Sequence, residues 1–340
     1  MTAQSHPKLR LGITIGDFNG IGPEVIIKTL KESRIQSFCV PIIFGSAKVF
    51  AKHRKILDIE FPYQIAQTAQ PEHTGENKVY LINSWPNDNP NIELGQSSAE
   101  AGQCALAALK DSVKALQEGW IDAVVTAPIN KFNIQDPDFK FVGHTEFYEH
   151  HFSGKSLMTL VAEKFRIATL TGHIPISKVS QSITAGLLYE KLKVFSHTLK
   201  HDFGIAKPKI AVLGLNPHAG EQGLLGAEEQ SIIAPTLEKL REEGYLMLGP
   251  FPSDGFFGQM SQSKFDGVMG MYHDQSLIPF KTLAFDRGVN FTAGLNIVRT
   301  SPDHGTAYNI AGKGIADPTP MREAIFLAAD IASRRTLKVV

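Results

Sequence analysis

Three histidines occupy the same kind of place in this sequence. His173 in TGHIPI, His218 in NPHAG and His273 in MYHDQ each follow an apolar run. Neutral imidazoles bind zinc and related divalent ions well, and three protein ligands leave one coordination position open for another molecule. Taken singly, a histidine after an apolar run is more often a loop or core residue than a ligand. Recurrence at three strand-like ends makes the trio a candidate. No HExxH is present, so the ligands would come from separate segments.

A second group is polar and largely cationic. Lys281, Arg287, Asn290 and Arg299 are spread through KTLAFDRGVNFTAGLNIVRT among apolar residues and glycines. Lysine and arginine recognise phosphate by charge and by forked hydrogen bonds. The competing reading is a solvated face. In GHTEFYEHHF, His144 and Thr145 are placed to donate hydrogen bonds from a loop, whereas His150 and His151 are adjacent and cannot share a helix face. GDFNGIGPE offers glycines for a tight turn and a helix start that could receive an anion, but it is not GxGxxG.

These residues need elements to carry them, and the chain supplies strands and helices in alternation. LRLGITIG, FCVPIIFGS, KVYLINSW and IDAVVTAPINK read as strands. GPEVIIKTLKES, AKVFAKHRKIL and SSAEAGQCALAALKDSVKALQEG read as helices, with Pro23 in a first turn and a serine cap on the third. Past residue 140 the order is less regular. KSLMTLVAEKFRIATLTGHIPISKV gives two strands and a loop, KIAVLGLNPHAG a strand and a turn, and FDGVMGMYHDQ another strand. EEQSIIAPTLEKLREEG and MREAIFLAADIASRR are helices, and SWPNDNPNIELGQS (84–97) is a loop. Such alternation implies an α/β protein with a parallel or mixed sheet, whose ligands sit beyond the carboxyl ends of the strands.

The totals agree. A chain of 340 residues with 43% hydrophobic and 20% charged residues suits one large or two joined α/β domains. Zero formal net charge gives no field that would favour nucleic acid or a membrane surface. Cys39 and Cys104, with no CxxC spacing, read as buried reduced thiols. MTAQSHPKLRLG lacks the apolar core of a signal peptide, and a cytoplasmic location is expected.

GDFNGIGPE, VTAPINK, GHTEF, TGHIP, GLNPHAGEQGLLGAEE, MYHDQSLIPFK and GVNFTAGLNIVRTSPDHGTA, taken together across residues 16–307, resemble the 4-hydroxythreonine-4-phosphate dehydrogenase family of pyridoxal phosphate biosynthesis. The resemblance implies two α/β/α domains around a cleft, as in isocitrate and isopropylmalate dehydrogenases, without a Rossmann fingerprint. Residues 1–140 with 300–340 would form the first, and 141–299 the second, carrying most ligands and the dimer contacts. It implies a homodimer whose active site is shared across the interface. One divalent metal per subunit (Zn, Mg or Co) would fall on His173, His218 and His273. Substrate would meet His144, Thr145, Lys281, Asn290 and Arg299, with Asp254 and Lys281 as catalytic groups. The implied reaction is NAD- or NADP-dependent oxidation of 4-phosphooxy-L-threonine, followed by decarboxylation to 3-amino-2-oxopropyl phosphate. Threonate or erythronate 4-phosphate is the alternative substrate. The chain departs from the family pattern twice: Phe18-Asn19 stand where GDPAGIGPE has Pro-Ala, and PSDGFF stands where PADTxF is usual.

Overall fold

Twelve strands alternate with helices in a computed structural model of the chain, which describes residues 8–32, 34–75, 77–86 and 90–337. The leader reading of residues 1–7, Ser33 at the end of the first expected helix and residues 87–89 of the polar loop lie outside the described residues. The strands are β1 (Leu9–Thr14), β2 (Cys39–Gly45), β3 (Gln64–Ala66), β4 (Tyr80–Asn83), β5 (Ala123–Thr126), β6 (Gly154–Ala162), β7 (Phe165–Thr171), β8 (Lys209–Leu213), β9 (Leu246–Phe251), β10 (Gly267–Tyr272), β11 (Val289–Leu295) and β12 (Arg299–Pro302). The chain divides into one unit of residues 1–152 with 297–333 and another of 153–296 with 334–340. Among the described residues no helix is long and apolar enough to cross a membrane.

The first unit holds strands in the order β3-β4-β2-β1-β5-β12, every pair parallel. β2 reads CVPIIFG and is buried along its whole length, as a strand covered on both faces must be. Helix Gly22–Leu30 carries its proline in the first turn, and helix Ala99–Gln117 is capped by Ser98, whose hydroxyl accepts from Ala101 N at 3.2 Å. Gly102 is required in that helix, because a Cβ there would strike the Asn133 carbonyl. Helix His144–His151 belongs to this unit, not beyond a boundary at residue 140. It packs Phe147 on Phe139 and Phe141 with ring centroids 5.3 and 5.7 Å apart. Arg299 also lies in this unit, because β12 pairs with β5 in the register Arg299↔Val124.

The second unit is mixed. β11, β6 and β7 are antiparallel neighbours, and β7, β10, β8 and β9 follow in parallel. Helix Ala185–His201, capped by Thr184, packs on this sheet. It went unread in the sequence, as did β3, β9, β11 and β12. The expected strand FDGVMGMYHDQ stops at Tyr272, and residues His273–Ala284 are helical despite Pro279. That helix folds back so closely on β10 that a Cβ on Gly270 would meet Ser276 Oγ.

One buried histidine gives this fold a pH dependence. His53 is 1% exposed, with Nε2 3.0 Å from the Phe18 carbonyl. Burial pulls its pKa down to about 4, so the folded state refuses a proton that the unfolded chain accepts. Above the unfolded value of 6.5 both states are neutral and the group is silent. Below it stability falls with pH, levelling near pH 4. The displacement corresponds to about 3 kcal/mol. Urea denaturation from pH 7 to 4.5 should therefore show a steeper acid loss in the native sequence than in His53→Gln, and equal slopes would remove this assignment.

Candidate active site

Parallel pairing brings four chain segments to one edge of the second unit. β7, β10, β8 and β9 all end there, and their continuations carry His173, His273, His218 and Asp254 in that spatial order. The register Tyr272↔Thr171 sets His273 beside the His173 loop. Their ring centroids are 5.4 Å apart, about one strand spacing. His273 Nδ1 lies 2.7 Å from Asp274 Oδ1. A carboxylate only accepts, so Nδ1 is the donor in this contact and Nε2 is left for another partner. A pocket of about 290 Å3 lies over the pair, lined by Gly172, Ile174, Val179 and Tyr272 as well.

His218 is reached by a different device. Residues His218, Ala219, Gly220, Glu221 and Gln222 all have positive φ, between 40° and 82°. Four are not glycine, and the left-handed region costs each of them about 1–2 kcal/mol. The turn is tied down by Glu229, which is buried. Glu229 accepts from Asn216 N at 2.7 Å and from Asn216 Nδ2 at 2.9 Å. Nδ2 also reaches Glu228 at 2.8 Å. His218 is thus held at the same edge, exposed, beyond β8. Among the described residues, no group of three or more His, Cys, Asp or Glu side chains lies close enough to hold a metal ion. The structure brings together two of the three expected histidines and leaves the third on the far side of β10.

The remaining expected residues are distributed. Lys281 is two turns along helix His273–Ala284, about 12 Å from His273 by helical rise. Asn290 sits in β11, three strands from β10, with its Oδ1 shut off from solvent and unmatched. Asp254 is exposed in the first turn of helix Ser253–Gly258. Arg287 leaves the set: it is exposed and pairs with Glu163 at 2.5 Å. It lines a different cavity, of about 810 Å3, among Arg166, Phe265 and Leu283 at the amino ends of β7 and β10.

In the first unit, His144 and Thr145 open a helix rather than lying in a loop. His144 Nε2 is shut off from solvent and has no hydrogen-bond partner among the described residues. Burial, then the charges of Arg299 and Lys131, hold its pKa well below the usual histidine value, so it is a neutral imidazole. Arg299 is 2% exposed, and burial pulls its pKa down to about 10, opposed by Tyr148 and Glu146; it remains a cation at neutral pH. Its Nε and Nη2 both donate to Thr126 Oγ1, at 3.1 and 2.5 Å. Tyr148, buried with its hydroxyl 2.7 Å from Ser112 Oγ, closes the surroundings. A buried cation and an unmatched neutral imidazole form a site suited to an anionic, hydroxylated ligand.

Thr126→Val keeps the side-chain shape and removes the oxygen on which Arg299 rests. A buried donor left without its acceptor costs about 1–3 kcal/mol. The variant should lose that much in urea denaturation, and an unchanged midpoint would mean that this bond does not hold Arg299.

The profile described as "Pyridoxal phosphate biosynthetic protein PdxA" matches residues 37–328. A 4-hydroxythreonine-4-phosphate dehydrogenase of Bacteroides thetaiotaomicron is 49% identical over 96% of this chain and 90% of that protein. A D-threonate 4-phosphate dehydrogenase of Cupriavidus necator is 38% identical over 96% and 98%. The crystal structure of 4-hydroxythreonine-4-phosphate dehydrogenase from Klebsiella pneumoniae superposes with a TM-score of 0.81 at 33% identity, covering 97% of this chain and 99% of that one. A β-decarboxylating dehydrogenase from Thermococcus kodakarensis, 14% identical with a TM-score of 0.52 and covering 96% of this chain and 84% of that one, shares the fold alone. With a profile match across most of its length and close relatives end to end, this chain belongs to the PdxA family of pyridoxal phosphate biosynthetic proteins.

Proposed function

We propose that the protein oxidises the secondary alcohol of 4-phosphooxy-L-threonine with NAD+ or NADP+. The resulting 2-amino-3-oxo-4-phosphooxybutanoate loses CO2 to give 3-amino-2-oxopropyl phosphate. The observation that carries this reading is the edge on which His173, His273, His218 and Asp254 emerge from adjacent parallel strands, in a chain 49% identical to a protein of that name. The D-threonate 4-phosphate dehydrogenase relative at 38% identity is consistent with the alternative substrate, threonate or erythronate 4-phosphate, without ranking it above the first.

His173, His218 and His273 are the residues that would hold a divalent ion. Imidazole donors suit zinc or cobalt better than magnesium, which prefers oxygen. The two rings 5.4 Å apart and the Asp274 contact, which leaves Nε2 of His273 available, fit such an ion. Bound there, such an ion would supply Lewis-acid stabilisation to oxygen on which negative charge develops. A nicotinamide supplies the hydride acceptor.

The chain's own groups do the rest. Arg299 and Lys281 hold the substrate's anionic groups, while His144, Thr145 and Asn290 hydrogen-bond its polar atoms. The unmatched Nε2 of His144 and Oδ1 of Asn290 support those roles. Asp254, exposed at the start of its helix, would take the hydroxyl proton in this reading. The site is completed by a second copy of the chain. Ile176, 78% exposed after His173, Leu224, 80% exposed after His218, and Ile278, 64% exposed in the His273 helix, give the histidine edge an apolar rim that such a copy would cover.

Steady-state assays decide between the substrates. 4-Phosphooxy-L-threonine should drive NAD(P)+ reduction that a chelator abolishes and Zn2+ or Co2+ restores. His218→Ala should cost at least about 100-fold in turnover with the fold intact. Full activity in chelated buffer would remove the metal from this reading. Turnover confined to threonate or erythronate 4-phosphate would replace the substrate.

A further inference from the structure

We propose that Gln275 is a positioning residue whose side-chain amide acts as an inserted peptide group between β10 and β8, setting the separation of the two strand ends that lead to His273 and His218. This rests on the metal reading above.

The backbone pairing between β8 and β10 is Gly267↔Ile210, Val268↔Ala211 and Met269↔Val212, and goes no further. Two residues on, where Met271 would face Gly214, the strands are bridged by Gln275. Its Oε1 accepts from Met271 N at 2.6 Å and its Nε2 donates to Gly214 O at 2.7 Å. This is the bonding of a peptide unit in a ladder, supplied by a side chain from the first turn of helix His273–Ala284. The second Nε2 proton goes to Ser253 Oγ at 2.6 Å. One amide, 9% exposed, thereby fastens three segments: Met271 two residues before His273, Gly214 four before His218, and Ser253 immediately before Asp254.

The insertion has a geometric consequence. Strands bonded directly lie about 4.8 Å apart, and Met271 and Gly214 would face each other at that spacing. With an amide between them the ends are spread, and the spread is fixed because each polar atom of the amide is used. The chemistry also specifies glutamine. A glutamate could accept from Met271 N but would set a carboxylate oxygen against the Gly214 carbonyl and donate nothing to Ser253. A methionine of similar volume would leave Met271 N and Gly214 O buried and unmatched. Gly270 belongs to the same device, since only glycine lets Ser276 and Gln275 approach the strand this closely.

The test uses the full-length native protein, Gln275→Met, Gln275→Glu and Ser253→Ala. Zn2+ alone is titrated against a chromophoric chelator, with thermal unfolding of the metal-free forms alongside. Loss of an orienting partner behind metal ligands costs about 10–100-fold in metal affinity. Both Gln275 variants should lose that much while still unfolding cooperatively. Ser253→Ala, which frees only the Asp254 segment, should lose less. If Gln275→Met folds poorly, Gln275→Glu carries the same expectation. Zn2+ affinity of a folded Gln275 variant within about twofold of native overturns the proposal and leaves the metal reading standing. Native protein that binds no Zn2+ overturns both.

Discussion

Parallel pairing of β7, β10, β8 and β9 is the constraint on which the rest of the second unit depends. Strands that run the same way must finish at the same edge, so every chain segment leaving that edge is delivered to one place. Spatial order need not follow sequence order. His273, latest in sequence of the three histidines, emerges from β10 between the strands of the other two. Its strand is therefore flanked by both of theirs, and its closeness to His173 follows from the Tyr272↔Thr171 register.

Sheet topology delivers backbones, not side-chain positions. Buried polar groups do the finer placement. Glu229 holds a left-handed turn that four non-glycine residues would not adopt unaided, and it does so through Asn216, two residues before His218. Thr126 gives Arg299 an acceptor in a setting that would otherwise penalise a buried cation. Each device leaves strain or a desolvated charge in place, and such features persist where the surrounding structure over-determines them. Their concentration at strand ends carrying histidine and arginine separates these regions from the thiols. Burial raises Cys39 and Cys104 to about 12, and both are inert packing residues.

Legibility followed the range of the signal. β2 and β10 are continuous apolar runs, β1 is apolar apart from Arg10 and Thr14, and helix Ala99–Gln117 has both periodicity and a serine cap, so local pattern suffices for them. The histidines at strand ends were visible for the same reason. β12 was not, because RTSP has no strand composition and is buried by pairing with β5. The helix after His273 was hidden by Pro279 and by the lack of a capping side chain at Tyr272. Gln275 and Glu229 look like ordinary polar helix residues in sequence. Their partners Gly214 and Asn216 are 61 and 13 residues away, and no spacing rule connects them. The one available sign was polar residues, Gln275 and Glu229, near the starts of otherwise buried helix faces.

The first βα turn shows how a departure from a family motif can be absorbed. Phe18 and Asn19 replace Pro-Ala, and both are fully buried. Asn19 Oδ1 accepts from Glu93 N at 2.8 Å, its Nδ2 donates to Ser98 Oγ at 3.2 Å, and its carbonyl accepts from Gly95 N at 2.9 Å. Phe18 packs toward Trp85, ring centroids 6.4 Å apart. The pair therefore docks the polar loop that follows β4, which an alanine with no side-chain amide could not do. The same turn holds Asp17, whose carboxylate accepts from Asn133 at 2.7 Å and from Tyr308 at 2.6 Å. An anion at the following helix start is already present within the chain. Glu24, buried in the first turn of helix Gly22–Leu30, accepts from Lys28 and from Ala316 N at 2.8 and 2.9 Å. A protein carboxylate in that position satisfies the helix dipole and leaves the turn as an anchor for the loops around Asp17 rather than a receptor for a phosphate.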